Sequence, residues 1–519
     1  MQQRVTTREG GYFRIIALLI ITLAFFLRAR SLDCRSLWFD EAVEYWVATA
    51  PLPQLLQTVR MGLQDPPLFS LLLHFWMILG RQEFLLRYLS LMFSVLSVAG
   101  LMFLGRRLWG RRAGVIVGML MTISSPQVRF AQEVGQYALM GCALILNLVA
   151  LEQALHRASE KWWWIWSGTE VFCLCSYYGT AIPLAAVGLL VFIELICKRQ
   201  GPMLRRFVLS GTVGVAVALL LLFVFLPAQL FRGPTTSAFQ GSFGNLLSEL
   251  TRFARASRWL IQFQVMSYQP GGFPWPAVLQ WSVWLPIVMT LLFALFGFLC
   301  HQDANRRPVL WLLGAWLLHY IASKFNLFPF GFRYSLVITP LLLLTVTYGI
   351  WCAGRVHWTL GAGMLIWILG VSVLSPPEPQ EDLRAVTRFW MEHRVESEIT
   401  YVYYGAVPAF RYYLGQSSME SASSSPSPLW YGACWRGESL CPNGGGIFYG
   451  SWFRHLEPDA KVEAIEHTLG AWPQRLWLIF SHIYPDENQQ ILDLLEEMGY
   501  SRALSNVGEN TSAYLLERK

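Results

Sequence analysis

The sequence predicts an α-helical membrane protein that crosses the bilayer about 11 times and ends in a small α/β domain outside the membrane. Three observations predict this class. Hydrophobic residues make up 54% of the 519 residues, whereas charged residues make up only 14%. Several apolar runs are long enough to cross about 30 Å of hydrocarbon as a helix. Beyond residue 374 the apolar runs stop, and a polar tail of about 145 residues follows.

The predicted spans are apolar segments separated by polar loops. They are Phe13–Leu27, Phe84–Gly105, Ala113–Ser125, Gly135–Leu155, Trp162–Ser176, Thr180–Cys197, Phe207–Phe231, Ala277–Cys300, Val309–Ser323, Tyr334–Cys352 and Trp358–Leu374. The residues before the first segment resemble a signal sequence, but no small-residue cleavage site follows. We therefore expect this segment to be retained as a span.

The run from Pro66 to Gly80 is apolar but short, and it opens on two prolines. As a helix it would rise only about 22 Å, which is less than the thickness of the hydrocarbon. We therefore expect a re-entrant or juxtamembrane helix that does not cross. Residues 31–83 then form one continuous loop, here called the first loop.

Basic residues lie where this topology places the cytoplasmic loops. With the N-terminus inside, loops 106–112, 156–161, 197–206, 301–307 and 353–357 face inwards and hold 4, 2, 4, 2 and 1 Lys or Arg. This is the positive-inside pattern, and it inverts if the Pro66 run crosses. We expect a multi-pass protein of the inner (plasma) membrane, with a cytoplasmic N-terminus and an extracytoplasmic tail. The net charge of +7 indicates contact with anionic lipids, not nucleic acid.

The sequence of the tail predicts a separate α/β domain. Residues 1–374 form the predicted transmembrane domain and residues 375–519 the extracytoplasmic α/β domain. DLRAVTRFWMEHR and NQQILDLLEEMGY are typical of helices, whereas EITYVYY and RLWLIF are typical of strands. The insert 416–446 is rich in Ser, Gly and Pro and is predicted to be a loop. It contains Cys434 and Cys441, and the sequence leaves open whether they form a disulfide.

Two adjacent carboxylates, Asp40 and Glu41, stand where the first span emerges into water. Two aromatic residues flank the pair on each side, as in an aromatic belt at headgroup depth: Trp38, Phe39, Tyr45 and Trp46. An ionisable pair at that depth is costly unless the protein uses it. The alternative is a helix N-terminus, where the carboxylates would cap free N–H groups and oppose the macrodipole.

Two further motifs fall on the same predicted face. Asp65 precedes Pro-Pro-Leu, and Glu133 lies between Gln132 and Tyr137. With these residues the chain resembles the family 39 glycosyltransferases of the GT-C type, the protein mannosyltransferase and lipid A aminoarabinose transferase group. The motifs that carry the resemblance follow the family's order over roughly residues 13–350: LWFDEA, DPPLFSLLLHFW, LLRYLSLMFSVL, GRRLWGRRAG, SSPQVRFAQEVGQYAL and FRYSLVITPLLLL.

The resemblance implies a reaction in which a hexosyl or pentosyl group passes, with inversion, from a polyprenyl phosphate to an acceptor at the extracytoplasmic face. The acceptor is a lipid, a glycan or a protein. Asp40 matches the family's acid and is the expected general base. The phosphate leaving group is anionic and requires cations or hydrogen-bond donors around it. The sequence shows no glycine-rich nucleotide motif, which agrees with a lipid-linked donor.

The other two carboxylates have several possible roles. Glu41 either orients the acceptor, binds a metal together with Glu133, caps a helix or forms an ion pair. Asp40, Glu41 and Glu133 are the candidate ligands for a divalent cation, and no other cofactor is implied. The family commonly carries Arg after the second acid, as in SQEARMY, whereas this chain has AQEVGQY. Arg129, four residues before Glu133, is the expected replacement for that cation.

The candidate residues for binding the donor phosphate or sugar are polar side chains of the predicted outer face: Arg333, Lys324, Arg129, Tyr177, Tyr178, His74 and Asp65. Structural alternatives exist for some of them. The alternative for Arg333 is an interfacial arginine whose side chain snorkels to the membrane surface. The alternative for His74 is a histidine that only packs in the fold. The alternative for the two tyrosines is an aromatic belt.

Two other functions remain open from sequence. An oligosaccharide ligase or oligosaccharyltransferase of the same architecture would need a wider cavity. A transporter of lipid-linked sugars would require charges along a path through the membrane and often inverted repeats. The acids of this chain lie in the predicted outer loops and no internal repeat is evident, so transferase is the favoured function.

Overall fold

The computed structural model describes residues 2–30, 32–61, 66–157, 159–223, 225, 247–255, 257, 277–300, 306–374, 381–416, 446–450, 456–483, 487–508 and 510–519. The chain divides into two units. The helical unit comprises Met1–Arg30, Asp65–Phe69 and Arg87–Glu378. The sheet unit comprises Ser31–Gln64, Ser70–Leu86 and Pro379–Lys519.

The α-helices of the described residues, labelled in chain order, are α1 Gln2–Ala29, α2 Phe39–Thr49, α3 Leu52–Arg60, α4 Leu68–Trp76, α5 Glu83–Trp109, α6 Arg111–Ile123, α7 Ser125–Ala131, α8 Tyr137–His156, α9 Glu160–Ser176, α10 Ala181–Cys197, α11 Gly201–Leu222, α12 Ala277–Cys300, α13 Arg307–Lys324, α14 Thr339–Val356, α15 Trp358–Leu374, α16 Leu383–His393, α17 Val407–Gln416, α18 Pro458–Leu469 and α19 Glu487–Glu497. Short 3₁₀ helices cover Tyr178–Thr180 and Phe332–Ile338. The strands are β1 Ile399–Val402, β2 Ile447–Tyr449, β3 Arg475–Ser481, β4 Tyr500–Gly508 and β5 Thr511–Arg518.

Each predicted span overlaps a helix of the structure, and the protein is a multi-pass membrane protein. The end of the predicted span Phe207–Phe231, residues 224 and 226–231, lies outside the described residues. Within the described residues, six helical stretches are long and apolar enough to cross a bilayer: Gly11–Ala29, Glu83–Trp109, Tyr137–His156, Tyr178–Cys197, Gly201–Leu222 and Arg333–Val356. Of the other predicted spans, α6, α9, α13 and α15 have 13 to 18 residues. α12 has 24 residues, and its fully described apolar stretch is Val288–Leu299. The number of crossings, about 11, therefore stays a prediction.

Glycines permit close helix contacts in the helical unit. Gly349 of α14 lies against α12, where a Cβ atom at this position would be 2.0 Å from the carbonyl oxygen of Thr290. Gly214 of α11 lies against α9 in the same way. A Cβ atom at this position would be 2.5 Å from a carboxylate oxygen of Glu170. Because apolar burial drives little helix association in lipid, close backbone packing of this kind matters for the bundle.

The segment after Pro66 contains only a short helix. α4 has nine residues, so it rises about 14 Å, roughly half the thickness of the hydrocarbon. Its residues from Ser70 onwards belong to the sheet unit. This length agrees with the prediction that the segment does not cross the membrane.

The sheet unit is built on a five-stranded mixed sheet in the order β2-β1-β3-β5-β4. β1 is parallel to both β2 and β3, with Tyr401 opposite Phe448 and Leu478. β5 is antiparallel to both β3 and β4. Strand β3 is buried along nearly its whole length, as expected for a central strand covered on both faces. The two strands and two helices predicted from the sequence of the tail are confirmed by β1, β3, α16 and α19.

Inside the sheet unit, the first loop packs against the part of the chain from Pro379 to Lys519, here called the C-terminal segment. The Trp46 indole N–H of α2 donates to the carbonyl oxygen of Pro408 at 2.9 Å, and the Tyr45 ring meets the Tyr412 ring edge-on at 4.8 Å. Phe39 and Tyr45 are buried. Phe39 and Tyr45 therefore pack on protein, as aromatic residues at a membrane exit readily do. The headgroup depth of the four aromatic residues stays a prediction.

Two segments in contact lie on one side of the membrane. The chain therefore crosses an even number of times between the first loop and the C-terminal segment, in agreement with the ten spans predicted there. The extracytoplasmic location of both segments, and the division at residue 374, remain predictions.

Candidate functional site

The acid pair lies in the first turn of α2. Asp40 is the second residue of the helix and is partly exposed, whereas Glu41, the third, is buried. A Glu41 carboxylate oxygen accepts a hydrogen bond from the backbone N–H of Trp38 at 3.4 Å. Glutamate at this position commonly caps the start of a helix. Glu41 therefore has the geometry of the capping alternative, while Asp40 is the more accessible carboxylate.

Helix α4 is held on α2 by two polar contacts. The Ser70 hydroxyl donates to the Glu44 carboxylate at 2.5 Å, and the His74 Nδ1 atom is 2.8 Å from the carbonyl oxygen of Ala48. Glu44 is buried and was not singled out from sequence. Its spacing of three residues after Glu41 was the available signal, because positions i and i+3 share a helix face.

Side chains of the C-terminal segment bind the chain just before Asp40. The Leu37 N–H donates to the Tyr413 hydroxyl at 2.6 Å, and the Phe39 N–H donates to a Glu381 carboxylate oxygen at 3.2 Å. The Tyr413 hydroxyl donates in turn to Glu83. Burial, followed by the Glu83 charge, raises the pKa of Tyr413 well above its ordinary value, so the hydroxyl stays neutral at physiological pH. Glu381 lies between the predicted domain boundary at residue 374 and the predicted helix that begins at Asp382, where no candidate for the site is predicted from the sequence.

The second acidic motif lies in the helical unit, between α7 and α8. Glu133 is buried and pairs with Arg129, whose Nε atom is 3.2 Å from a Glu133 carboxylate oxygen. The guanidinium of Arg129 also lies over the Phe130 ring at 5.4 Å. The structure thus brings together the two residues that sequence comparison connected, and Arg129 neutralises the acid.

The end of α1 is fixed to the segment that contains Glu133. The Gln132 side-chain amide donates to the carbonyl oxygens of Arg28 at 3.1 Å and Arg30 at 2.8 Å. These are carbonyls at the C-terminus of α1, which lack partners within the helix. Gln132 is therefore a cap for α1, which explains a polar residue beside the acid without a catalytic role.

Aromatic contacts bring three of the predicted segments together. Tyr177 is buried with its ring centroid 6.3 Å from that of Tyr137 and 5.8 Å from that of Phe328. Phe328 is in turn 6.1 Å from Tyr334. Gly179 permits this approach, because a Cβ atom there would lie 2.5 Å from the Phe328 ring. The segments of Glu133, Tyr178 and Arg333 are therefore neighbours, and their location on the outer face stays a prediction.

The two candidate cations after α13 have different surroundings. The Lys324 side chain is buried and lies 3.4 Å from a carboxylate oxygen of Glu249, which also accepts a hydrogen bond from Tyr320 at 2.8 Å. Arg333 is only partly buried and lies over the Tyr334 ring at 5.6 Å. Arg333 is thus the more accessible cation, and Lys324 would reach a donor phosphate only in competition with Glu249.

Some predicted features lie outside the described residues, namely Asp65, Cys434 and Cys441. No group of three or more His, Cys, Asp or Glu side chains is arranged to hold a metal ion in the part of the chain that the structure describes. The candidate residues fall into two groups: Asp40, Glu41 and His74 in the sheet unit, and the remaining described ones in the helical unit.

Comparison with known proteins gives a match to a family model. The model of dolichyl-phosphate-mannose-protein mannosyltransferases matches residues 64–231, which include Glu133 and Tyr177 but not Asp40. The comparison with curated proteins gives no match. The family model agrees with the resemblance found in the sequence motifs.

Solved structures agree on the fold. ArnT from Cupriavidus metallidurans, crystallised with undecaprenyl phosphate, matches with a TM-score of 0.53 and 12% identity over 96% of this chain and 97% of that one. The chain therefore shares the GT-C fold of this structure. An apo oligosaccharyltransferase from Archaeoglobus fulgidus matches with a TM-score of 0.50 and 13% identity over 97% of this GT-C chain and 74% of that one.

Proposed function

We propose that this GT-C protein transfers a single sugar, with inversion, from a polyprenyl phosphate to an acceptor at the extracytoplasmic face. The observation that carries the proposal is the acid pair on α2, where Asp40 is the accessible carboxylate at the start of a fixed helix. The family model and the GT-C fold support a lipid-linked donor, because the similar ArnT structure contains undecaprenyl phosphate.

In this proposal Asp40 is the general base. An acceptor hydroxyl or amine becomes a strong nucleophile when a carboxylate removes its proton as it attacks the anomeric carbon. The bond between that carbon and the phosphate oxygen breaks, and the polyprenyl phosphate leaves with the bonding electrons. Glu41 serves this step indirectly, because it caps α2 from a buried position.

The donor phosphate requires positive charge when it leaves. Arg333 is the primary candidate, since it is partly exposed and lies over Tyr334. The Phe328 ring contacts both Tyr334 and Tyr177. Arg129 adds a second cation beside Glu133. Lys324 would contact the donor phosphate when Glu249 is displaced from it. His74 would contact the donor through Nε2, because its Nδ1 atom is already bound to the carbonyl oxygen of Ala48 in α2.

The test uses purified protein in proteoliposomes loaded with labelled undecaprenyl-phosphate hexoses and pentoses. Lipid, glycan and protein fractions serve as acceptors, and the released undecaprenyl phosphate and the labelled acceptor are measured. We expect Asp40→Asn to lower the rate by about 10²- to 10⁴-fold, the range of general-base catalysis.

A matched control is Asp33→Asn, which neutralises an exposed carboxylate of the same loop. It should transfer at the wild-type rate. A wild-type protein that uses none of these donors would contradict the proposed function. So would an inserted Asp40→Asn variant with unchanged transfer.

A further inference from the structure

The N-cap residue of helix α2 is not one of the residues favoured at that position. This residue is Trp38, whose side chain makes no capping hydrogen bond. Ser, Thr, Asp and Asn are favoured there, because the first backbone N–H groups of a helix have no partner within it. A Glu41 carboxylate oxygen accepts a hydrogen bond from the N–H of Trp38. The N–H of Phe39, the first helical residue, is bound by Glu381, which is 342 residues away in sequence.

The C-terminal segment holds the same short stretch at further points. The Ser36 hydroxyl donates to the carbonyl oxygen of Glu381 at 2.7 Å and accepts from the N–H of Leu383 at 3.1 Å. The Leu37 N–H donates to the hydroxyl of Tyr413. Three of the four residues before Asp40 are therefore hydrogen-bonded to the segment after residue 380.

The Glu381 carboxylate is itself fixed by the end of β3. It accepts hydrogen bonds from the Ser481 hydroxyl at 3.1 Å and from the His482 Nδ1 atom at 2.7 Å. The His482 ring is stacked on Phe39, with centroids 4.7 Å apart and planes at 12°. His482 adopts a left-handed backbone conformation, with φ of 54°. Non-glycine residues adopt that region uncommonly, so the surrounding structure maintains it.

From these contacts we propose that Glu381 is a positioning residue for sugar transfer. The C-terminal segment adds a second cap to α2, at the N–H of Phe39, and so fixes the backbone that carries Asp40. This inference rests on the proposed function, since it assigns Glu381 an effect through the proposed base. A displacement of about 1 Å in a reacting group is enough to cost about 10²-fold in rate.

The alternative is that these contacts only hold the C-terminal segment in place. The two roles differ in their kinetic effect. A positioning residue changes kcat with little change in the donor KM, because the donor-binding residues proposed above belong mainly to the helical unit. A purely structural contact changes the amount of folded protein and leaves kcat per folded molecule unchanged.

The experiment compares full-length Glu381→Ala and Glu381→Gln with Glu487→Ala in the proteoliposome assay. Glu487 is a matched control, because it is equally buried and pairs with Lys461 at 2.7 Å within the C-terminal segment. We expect Glu381→Ala to lower kcat by about 10- to 100-fold at an unchanged donor KM. Glu381→Gln keeps an oxygen acceptor for the Phe39 N–H and should recover most of that loss.

Hydrogen exchange provides a readout that does not depend on activity. In Glu381→Ala, amides of residues 37–42 should exchange faster than in wild type, whereas Glu487→Ala should leave them unchanged. Unchanged exchange in Glu381→Ala, or a wild-type kcat in this variant while Asp40→Asn is inactive, would overturn the positioning role alone. Wild-type transfer by Asp40→Asn would instead refute the proposed function, and the exchange result would still report on the cap.

Discussion

The guanidinium of Arg28 is fully buried in the helical unit and binds four acceptors. It donates to the Ser94 hydroxyl at 2.7 Å and to the carbonyl oxygens of Met121, Thr122 and Ala24 at 2.9, 3.0 and 3.2 Å. Two of these carbonyls end α6, where a cation also opposes the helix dipole. One side chain thus connects α1, α5 and α6.

We predict that Arg28→Lys destabilises the protein by about 3 kcal/mol. Lysine keeps the charge but lacks the planar guanidinium, so it cannot reach all four acceptors, and each lost charged hydrogen bond costs about 1.5–3 kcal/mol. Thermal unfolding in detergent measures the effect. The control is Arg112→Lys at an exposed position of α6, and equal melting temperatures for the two variants would contradict the prediction.

At the residue scale, the sequence identifies the candidate acids but does not distinguish all of their roles. Asp40 and Glu41 are adjacent, and a pattern of two carboxylates does not distinguish an accessible base from a helix cap. Burial separates them in the structure. Glu381 gave no signal in sequence, because its partner Phe39 is 342 residues away and no local periodicity links such positions.

At the scale of elements, helix pairs in the membrane depend on how closely two backbones approach. α14 is buried nearly all round, as expected for a helix that is apolar on every face. Gly349 is the point where it meets the backbone of α12, at Thr290.

We predict opposite effects from two glycine substitutions in α14. Gly349→Ala should destabilise the protein by about 1–3 kcal/mol, because the new methyl group meets a carbonyl oxygen that moves only if the helices separate. Gly354→Ala has nothing within 4 Å of its Cβ position and should stabilise α14 by up to about 1 kcal/mol.

Both glycine variants are measured by melting temperature in detergent, and a stabilising Gly349→Ala would disprove the close contact.

Apart from such contacts, the apolar segments themselves predicted the helices well. Their length and uniform hydrophobicity determine helix formation in a bilayer, because backbone groups must pair internally there.

At the scale of the whole molecule, the contact between the first loop and the C-terminal segment constrains topology. Both lie on one side, and the positive-inside pattern predicts that this side is the exterior. Two exposed free cysteines report on the two predicted faces. Cys34 is in the first loop and Cys197 ends α10 at the predicted cytoplasmic side.

We predict that a membrane-impermeant maleimide labels Cys34 in right-side-out vesicles and Cys197 in inside-out vesicles. Peptide mapping by mass spectrometry identifies the labelled thiol in the unmodified protein, so each cysteine is the internal control for the other. Labelling of Cys34 only in inside-out vesicles would reverse the topology and place the acid pair in the cytoplasm.

The sequence by itself determined the membrane class, the helical segments, the α/β character of the tail and the family resemblance. These properties depend on composition, on apolar length and on local motifs. Only the tertiary structure decided that the aromatic residues around Asp40 pack on the C-terminal segment and that Glu381 caps α2. The physical reason is that a lipid headgroup region and a protein surface favour the same amphipathic side chains. A helix cap likewise requires only an oxygen at the right distance, and residues from anywhere in the chain can supply it.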